Sequence, residues 1–345
     1  MTEIGIGVIG CGYWGPNLIR NFVEIPQSEL VVVADRSTKR LDHIQSRYPG
    51  IQTTRDYQDL FDMGLDAAVV ATPPATHFAI ARDCLVHNLH AFVEKPLTLQ
   101  AVDAESLIAL ADARDLRLMV GHTFEYNQAV HALKELIDSG ELGELYYVNS
   151  VRVNLGLFQP DLNVLWDLAP HDLSILRYLL GQDPLSVRAQ GAANVFEGKH
   201  DIVYMNLRYP DGLLAHVHIS WLDPCKVRRT TVVGSKKMAV YDDVATLEKI
   251  KIYDKGVERL PYTDTFGEFQ CSYRYGDVVI PNIEFIEPLR VECQHFLECI
   301  VEGKRPQSSG RVGLSVVRVL EMADKSLHNG GMQEMIASAK EPGCE

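Results

Sequence analysis

Two hydrophobic rhythms alternate along the first third of the chain. Short continuous apolar runs at 4–9, 30–34, 67–71, 91–93 and 117–121 predict buried strands, while 16–23, 38–47, 77–87 and 101–113 carry apolar residues at helical spacing. Such alternation builds a parallel sheet with helices on both faces, an architecture in which ligands bind beyond the carboxyl ends of the strands. Gly10, Asp35, Thr72 and Glu94 all fall there.

After His122 the rhythm changes. A helix over 127–137, stopped by Gly140, precedes segments of period-two alternation at 146–153, 187–195, 202–209, 213–221, 230–233 and 237–241, with Pro210-Asp211-Gly212 as a hairpin signal. A helix over 169–180 interrupts them, with Pro170 suited to its first position and Gly181 to its end. Residues 261–288 show no clear period and read as a long loop, and helices over 289–301 and 312–327 follow. The expectation is an α/β domain over 1–122 and an α+β domain over 123–345 with a large, mostly antiparallel sheet, the last helices being able to pack back on the first domain. Few helices remain to cover the second face of that sheet, so pairing of sheets between subunits, as a homodimer or homotetramer, is expected.

The turn Gly10-Cys11-Gly12-Tyr13-Trp14-Gly15 lies between the first strand and the first helix. A dinucleotide pyrophosphate needs a glycine for a tight turn, a second without a Cβ that would block backbone approach, and a third for close helix packing. Gly10, Gly12 and Gly15 fill these roles, and the helix N-terminus supplies free N–H donors. Tyr13 and Trp14 either cover the loop or touch the cofactor. Asp35 ends the second strand, where an acid can accept both ribose hydroxyls and repel a 2′-phosphate. That favours NAD, while the neighbouring Arg36 and Ser37 keep NADP possible.

Length and composition fit an ordinary two-domain globular protein of 345 residues. The net charge of −13 argues against a nucleic-acid partner held by phosphate neutralisation. No apolar stretch has the length of a membrane span. The seven cysteines are scattered, follow no secretory-type leader and include no Cys-x-x-Cys, so reduced thiols in a cytoplasm are expected and a metal centre is not.

Two further clusters could carry chemistry. Glu94-Lys95-Pro96 ends a strand at the rim where a nicotinamide would project, and Pro96 keeps Lys95 out of the helical region. An ammonium there can hydrogen-bond a substrate hydroxyl and stabilise alkoxide character as hydride departs. Asp167 and His171 are four apart and share a face if the turn is helical. A histidine suits the removal of a hydroxyl proton, and Asp167 would orient it or contact another hydroxyl. Asp167 as a helix cap and His171 as a partly buried helix residue are the alternatives.

The glycine turn with Asp35, the run Ala71-Thr72-Pro73-Pro74-Ala75-Thr76-His77, Glu94-Lys95-Pro96, and Asp167 to His171 leading to Tyr178-Leu179-Leu180-Gly181 together resemble the Gfo/Idh/MocA family. The family takes its name from glucose-fructose oxidoreductase, inositol dehydrogenase and rhizopine catabolism, and the resemblance covers nearly the whole length. It implies a Rossmann domain followed by an open-faced sheet domain, with Lys95, Asp167 and His171 matching a catalytic trio whose usual base is the histidine. Thr72, Pro73, His77 and Glu94 match positions lining the nicotinamide half. The chain departs from the pattern at Asn163-Val164-Leu165-Trp166, where many relatives have a pair of glycines, and at 121–127, where an arginine is common.

Sugar recognition uses directional polar groups and an aromatic surface, for which Tyr126, Asn127, Arg152, Asn154 and Trp166 are suitably typed. The opening turn and the 154–166 loop are similar to nucleotide-sugar dehydrogenases, favouring a nucleotide-linked hexose or hexosamine acted on at ring carbon three. Arg152, Arg228, Arg229 or Arg274 could then face a diphosphate. Inositol or a free aldose is the competing substrate. A non-catalytic NAD(P) sensor is the alternative of a different class, disfavoured because the lysine, aspartate and histidine are all present.

Overall fold

The protein is described by a computed structural model over residues 3–259 and 271–337. In chain order the elements begin β1 (Ile4–Ile9), α1 (Gly15–Glu24), β2 (Ser28–Ala34), α2 (Thr38–Arg47), β3 (Gln52–Thr54), β4 (Ala67–Val70), α3 (His77–Val86), β5 (His90–Glu94), α4 (Ala101–Ala113) and β6 (Leu118–Gly121). They continue with α5 (Gln128–Asp138), β7 (Leu145–Val153), α6 (Val164–Leu180), β8 (Ser186–Ala192), β9 (Ile202–Arg208), β10 (Leu214–Ser220), β11 (Val227–Gly234) and β12 (Met238–Asp242). The last are β13 (Ile250–Arg259), β14 (Cys271–Val279), α7 (Pro288–Val301), α8 (Gly310–His328) and β15 (Glu334–Met335).

Residues 1–126 and 286–321 form one compact unit. Its six strands are parallel in the order β3-β2-β1-β4-β5-β6, so the chain works outward from β1 in one direction and then, after β3, in the other. That reversal between β1 and β4 is the switch point at which ligands bind in this architecture. Every residue of β4 is buried, as a strand covered on both faces requires. Leu289, Cys293, Phe296 and Leu297 of α7 join the same core as Phe22 and Phe92, and the Phe92 and Phe296 rings meet edge-on at 5.6 Å. Relative to the expected boundary after 122, the first unit holds four more residues there and also takes in 286–321.

The described residues of 127–285 and 322–337 form the second unit. Its nine strands run β14-β13-β12-β11-β7-β10-β9-β8-β15, antiparallel except for the β7–β10 pair. In β9 the side chains of Val203, Met205 and Leu207 are buried while those of Tyr204, Asn206 and Arg208 face outward. The α5 and α6 helices belong to this unit, and α6 packs against β7, β9 and β10.

Two expectations are corrected. Part of the expected loop over 261–288 is the strand β14, paired antiparallel with β13; residues 261–270 lie outside the described residues. The inserted helix starts at Val164, not near 169, and its cap is Asn163, whose side-chain oxygen accepts the Trp166 N–H at 3.2 Å. Pro170 therefore sits inside the helix instead of at its start.

Candidate active site

In the first unit the glycine turn has the geometry its spacing demands. Gly10 adopts φ +98°, and a Cβ there would come within 2.6 Å of the Ala71 carbonyl oxygen. A Cβ on Gly15 would collide with the Gly10 carbonyl, so the first turn of α1 can rest on the loop only without one. Around Gly12, by contrast, a Cβ would meet only the Arg40 guanidinium, at 3.7 Å. The backbone at Gly12 is open on the side from which a pyrophosphate would approach, and the residues fit a dinucleotide. Tyr13 is almost fully exposed at the tip of the turn.

Asp35 is fixed from three sides. Its two carboxylate oxygens accept the Cys11 N–H at 2.9 Å and the Ser37 N–H at 2.8 Å, and Arg40 lies 3.5 Å from Oδ2. Burial pushes its pKa up, but the two N–H donors and the cation outweigh burial and hold the carboxyl below its ordinary value. The same site pushes the Cys11 thiol up to about 12, through burial first and the Asp35 charge second. Each oxygen retains a lone pair for a ribose hydroxyl. Arg40, one turn into α2, is a cation the sequence reading missed; Arg36 is exposed beside it.

At the rim formed by β4, β5 and β6, the expected cofactor contacts divide. Thr72 and Pro73 are accessible on the loop after β4. His77 is not: it is 1% exposed, and its Nδ1 and Nε2 lie 2.8 Å from the Pro96 and Thr72 carbonyl oxygens. It is a strut between two loops, corrected from a direct contact, and burial lowers its pKa.

Glu94 ends β5 opposite Gly121 of β6, where a Cβ would approach its carboxyl to 2.9 Å. The missing side chain of Gly121 makes room for the carboxyl. Burial drives the Glu94 pKa up to about 7; the Lys95 charge, the Lys95 N–H and a hydrogen bond from Trp14 pull the other way. Trp14 thus closes the turn against β5. Two residues that sequence reasoning passed over share this buried corner. His122, with no hydrogen-bond partner on either ring nitrogen among the described residues, has its pKa pushed down to about 3 by burial and then by Lys95. Glu292 of α7 accepts the Thr123 hydroxyl at 2.7 Å, and burial and then the Glu94 charge raise its pKa well above the usual range. No sequence signal pointed to Glu292, because it arrives 198 residues after Glu94.

In the second unit α6 carries Trp166, Asp167 and His171 on accessible positions, while Ala169, Pro170 and Asp172 are buried. Asp167 and His171 are one helical turn apart on that accessible face. The buried Trp221 donates its indole N–H to Asp167 Oδ2 at 3.1 Å. Asp172 points the other way, accepting the Arg152 Nε–H at 2.6 Å and the Ser150 hydroxyl at 2.7 Å.

Several expected substrate contacts are reassigned. Arg152 is 4% exposed and engaged in that ion pair. Tyr126 is 2% exposed in the first unit's core, its hydroxyl 2.9 Å from Ser308 Oγ. Asn127 caps α5 through its side-chain oxygen. Asn154 remains partly accessible at the end of β7. The cations considered for a diphosphate are all ion-paired: Arg228 with Asp243, Arg229 with Asp242, Arg274 with Asp254 and Glu258.

A switch-point glycine turn with an acid at the end of β2, joined in one chain to a mixed-sheet unit bearing an acid and a histidine on one helix, defines an NAD-binding oxidoreductase. Residues 4–122 match the oxidoreductase family with an NAD-binding Rossmann fold, and residues 130–240 match the GFO/IDH/MocA C-terminal domain. The chain belongs to the Gfo/Idh/MocA family. It is 28% identical to the UDP-N-acetylglucosamine 3-dehydrogenase of Acidithiobacillus ferrooxidans over 76% of this chain and 80% of that protein. A solved structure of that enzyme superposes with TM-score 0.80 over 95% of this chain and 99% of the other, at 24% identity. The myo-inositol 2-dehydrogenase of Thermotoga maritima is 26% identical over 93% of this chain and 96% of its own length. Among the described residues no helix is long and apolar enough to cross a membrane, and no group of three or more His, Cys, Asp or Glu could hold a metal ion.

Proposed function

We propose that this enzyme moves hydride between NAD and a secondary hydroxyl or ketone of a sugar, at ring carbon three of a nucleotide-linked hexose or hexosamine. The observation that carries the reading is Asp167 and His171 on the accessible face of α6, in a chain whose first unit ends β5 with Glu94-Lys95-Pro96. Gly10, Gly12, Gly15 and Asp35 would hold the dinucleotide, whose nicotinamide supplies the hydride acceptor. His171 takes the hydroxyl proton as general base. Asp167 orients the imidazole or contacts another sugar hydroxyl. The Lys95 ammonium hydrogen-bonds the reacting oxygen and stabilises the negative charge that develops on it. The likeness to a UDP-N-acetylglucosamine 3-dehydrogenase supports the nucleotide-linked sugar.

One observation favours an uncharged polyol such as inositol: each arginine suited to a diphosphate already has a carboxylate partner. Incubation with NAD and a panel of nucleotide sugars, inositols and free aldoses, followed by absorbance of the reduced cofactor, separates the two. Turnover of a nucleotide sugar that falls by about 10²–10⁴ in His171→Ala and Lys95→Ala is the expected result. Turnover of inositol alone selects the polyol, and cofactor binding with no turnover of any sugar replaces the enzyme reading by a sensor.

A further inference from the structure

Trp221 follows β10 directly and is 1% exposed, yet the one polar atom of its side chain is spent on a partly accessible carboxylate. An indole N–H donates and cannot accept, so it fixes the identity of the partner atom as well as its direction. The donor meets Asp167 Oδ2 at 3.1 Å. We infer that Trp221 is a positioning residue that locks the Asp167 carboxylate in one rotation on α6, an inference resting on the role proposed above for Asp167.

The indole is itself held more tightly than packing alone requires. Its backbone N–H donates to the Asp201 carbonyl at 2.9 Å, and its carbonyl accepts the Gly156 N–H at 2.9 Å. Gly156 lets the loop after β7 lie against the ring, since a Cβ there would come within 2.6 Å of indole Cδ1. Phe158 covers the ring at a centroid distance of 5.0 Å and an angle of 51°. Asp201 is fully buried and binds the Asn194 and Val195 N–H groups at 2.7 and 2.9 Å, so the strand end supplying the Trp221 contact is anchored in its turn.

The consequence for the carboxylate is specific. The terminal torsion of an aspartate is broad, and an accessible one on a helix turns between orientations. An N–H···O bond to one carboxylate oxygen opposes that rotation. Asp167 is then presented to its neighbour one turn along, His171, in one geometry. Alignment of this kind matters to a proton transfer, where small misplacements cost large factors in rate.

The chain has only three tryptophans, Trp14, Trp166 and Trp221, so its indole N–H resonances can be resolved in the full-length protein labelled with ¹⁵N-tryptophan. The resonance lost in Trp221→Phe is expected to move upfield in Asp167→Ala, a variant that leaves the buried ring in place. If it stays where it is, the contact does not exist in solution and the inference is overturned. In turnover, Trp221→Phe is expected to lower kcat by about 10- to 100-fold with KM changed less than about threefold. In the Asp167→Ala background it is expected to add nothing, because the group it positions is gone. Losses that multiply in the double variant overturn the inference in favour of simple packing. A wild-type chain that turns over no sugar sinks the catalytic reading of α6 instead, and the indole resonance, which needs no turnover, tells that failure from a missing contact.

Discussion

Glu94 shows how one buried carboxyl couples stability to pH. Its ordinary pKa of 4.5 is raised to about 7 in the fold, chiefly by burial. The folded state therefore binds its proton more tightly than the unfolded chain, and this residue's contribution to stability is lost as pH rises from about 4.5 through about 7. Glu94→Gln keeps the shape and removes the ionisation. In thermal melts without cofactor, the stability gained by the variant should be near zero below pH 4.5 and grow by up to about 1.4 kcal/mol per pH unit until about 7. A gain independent of pH would mean that the carboxyl is not desolvated. The neighbouring His122 works in the opposite sense, since a depressed imidazole loses stability as pH falls below its ordinary 6.5. Only the difference between wild type and variant isolates either group. At this scale the sequence identified chemistry better than surroundings. Gly10, Gly15 and Asp35 were readable because their roles are local to one turn and one strand end. Tyr126 and Arg152 were not, because the groups that engage them, Ser308 and Asp172, come from distant sequence and from another element.

The helix α6 illustrates what periodicity carries and what it loses. A proline suits the first turn of a helix, so the sequence placed the start near Pro170; the structure instead accepts the proline inside and begins six residues earlier, capped by Asn163. The earlier start puts both Asp167 and His171 within regular helix, which makes their shared face certain in a way the sequence left conditional. The hairpin of β13 and β14 escaped for a different reason. Every residue of β14 is at least partly exposed, so neither face imposes the alternation by which strands are recognised. On its inner side α6 is tied to β7 by the buried pair Arg152–Asp172. Asp172→Ala leaves a cation buried without its carboxylate and should cost about 3–5 kcal/mol in chemical denaturation. Arg152→Met with Asp172→Leu should recover most of that loss. Failure of the double variant to recover would show that the pair fixes the helix in a way apolar packing cannot.

For the whole molecule, the mixed sheet leaves one side facing outward. On β9 and β10 that side presents Tyr204 stacked on His218 at 4.4 Å, with Asn206 and His216 beside them. A sheet face of this size in an α+β unit is a natural surface for a second copy of the chain, and self-association through it is the expectation. Light scattering at micromolar concentration should give at least twice the 38.6 kDa of one chain, and Tyr204→Asp should lower it. A monomer would count against the pairing. The change from a parallel α/β sheet to a mostly antiparallel one was legible, because the strand rhythm switches after the run 117–121; the three-residue β3 was not, being too short to show a period. The return of 286–321 to the first unit was left open, since helices of ordinary amphipathic pattern do not announce which sheet they cover.

That return has a consequence for how the protein is made. The Rossmann core is not complete at residue 126: Leu289, Cys293, Phe296 and Leu297 fill part of it, and Glu292 supplies a carboxyl to its buried corner. A ribosome exposes the glycine turn early but withholds α7 until most of the chain has been synthesised. The nucleotide-binding half must therefore wait, partly unsealed around Phe22 and Phe92, while the sheet half emerges and folds. A gene fragment ending at 126 should yield an aggregating product, whereas one that splices 286–321 onto it should give a soluble chain.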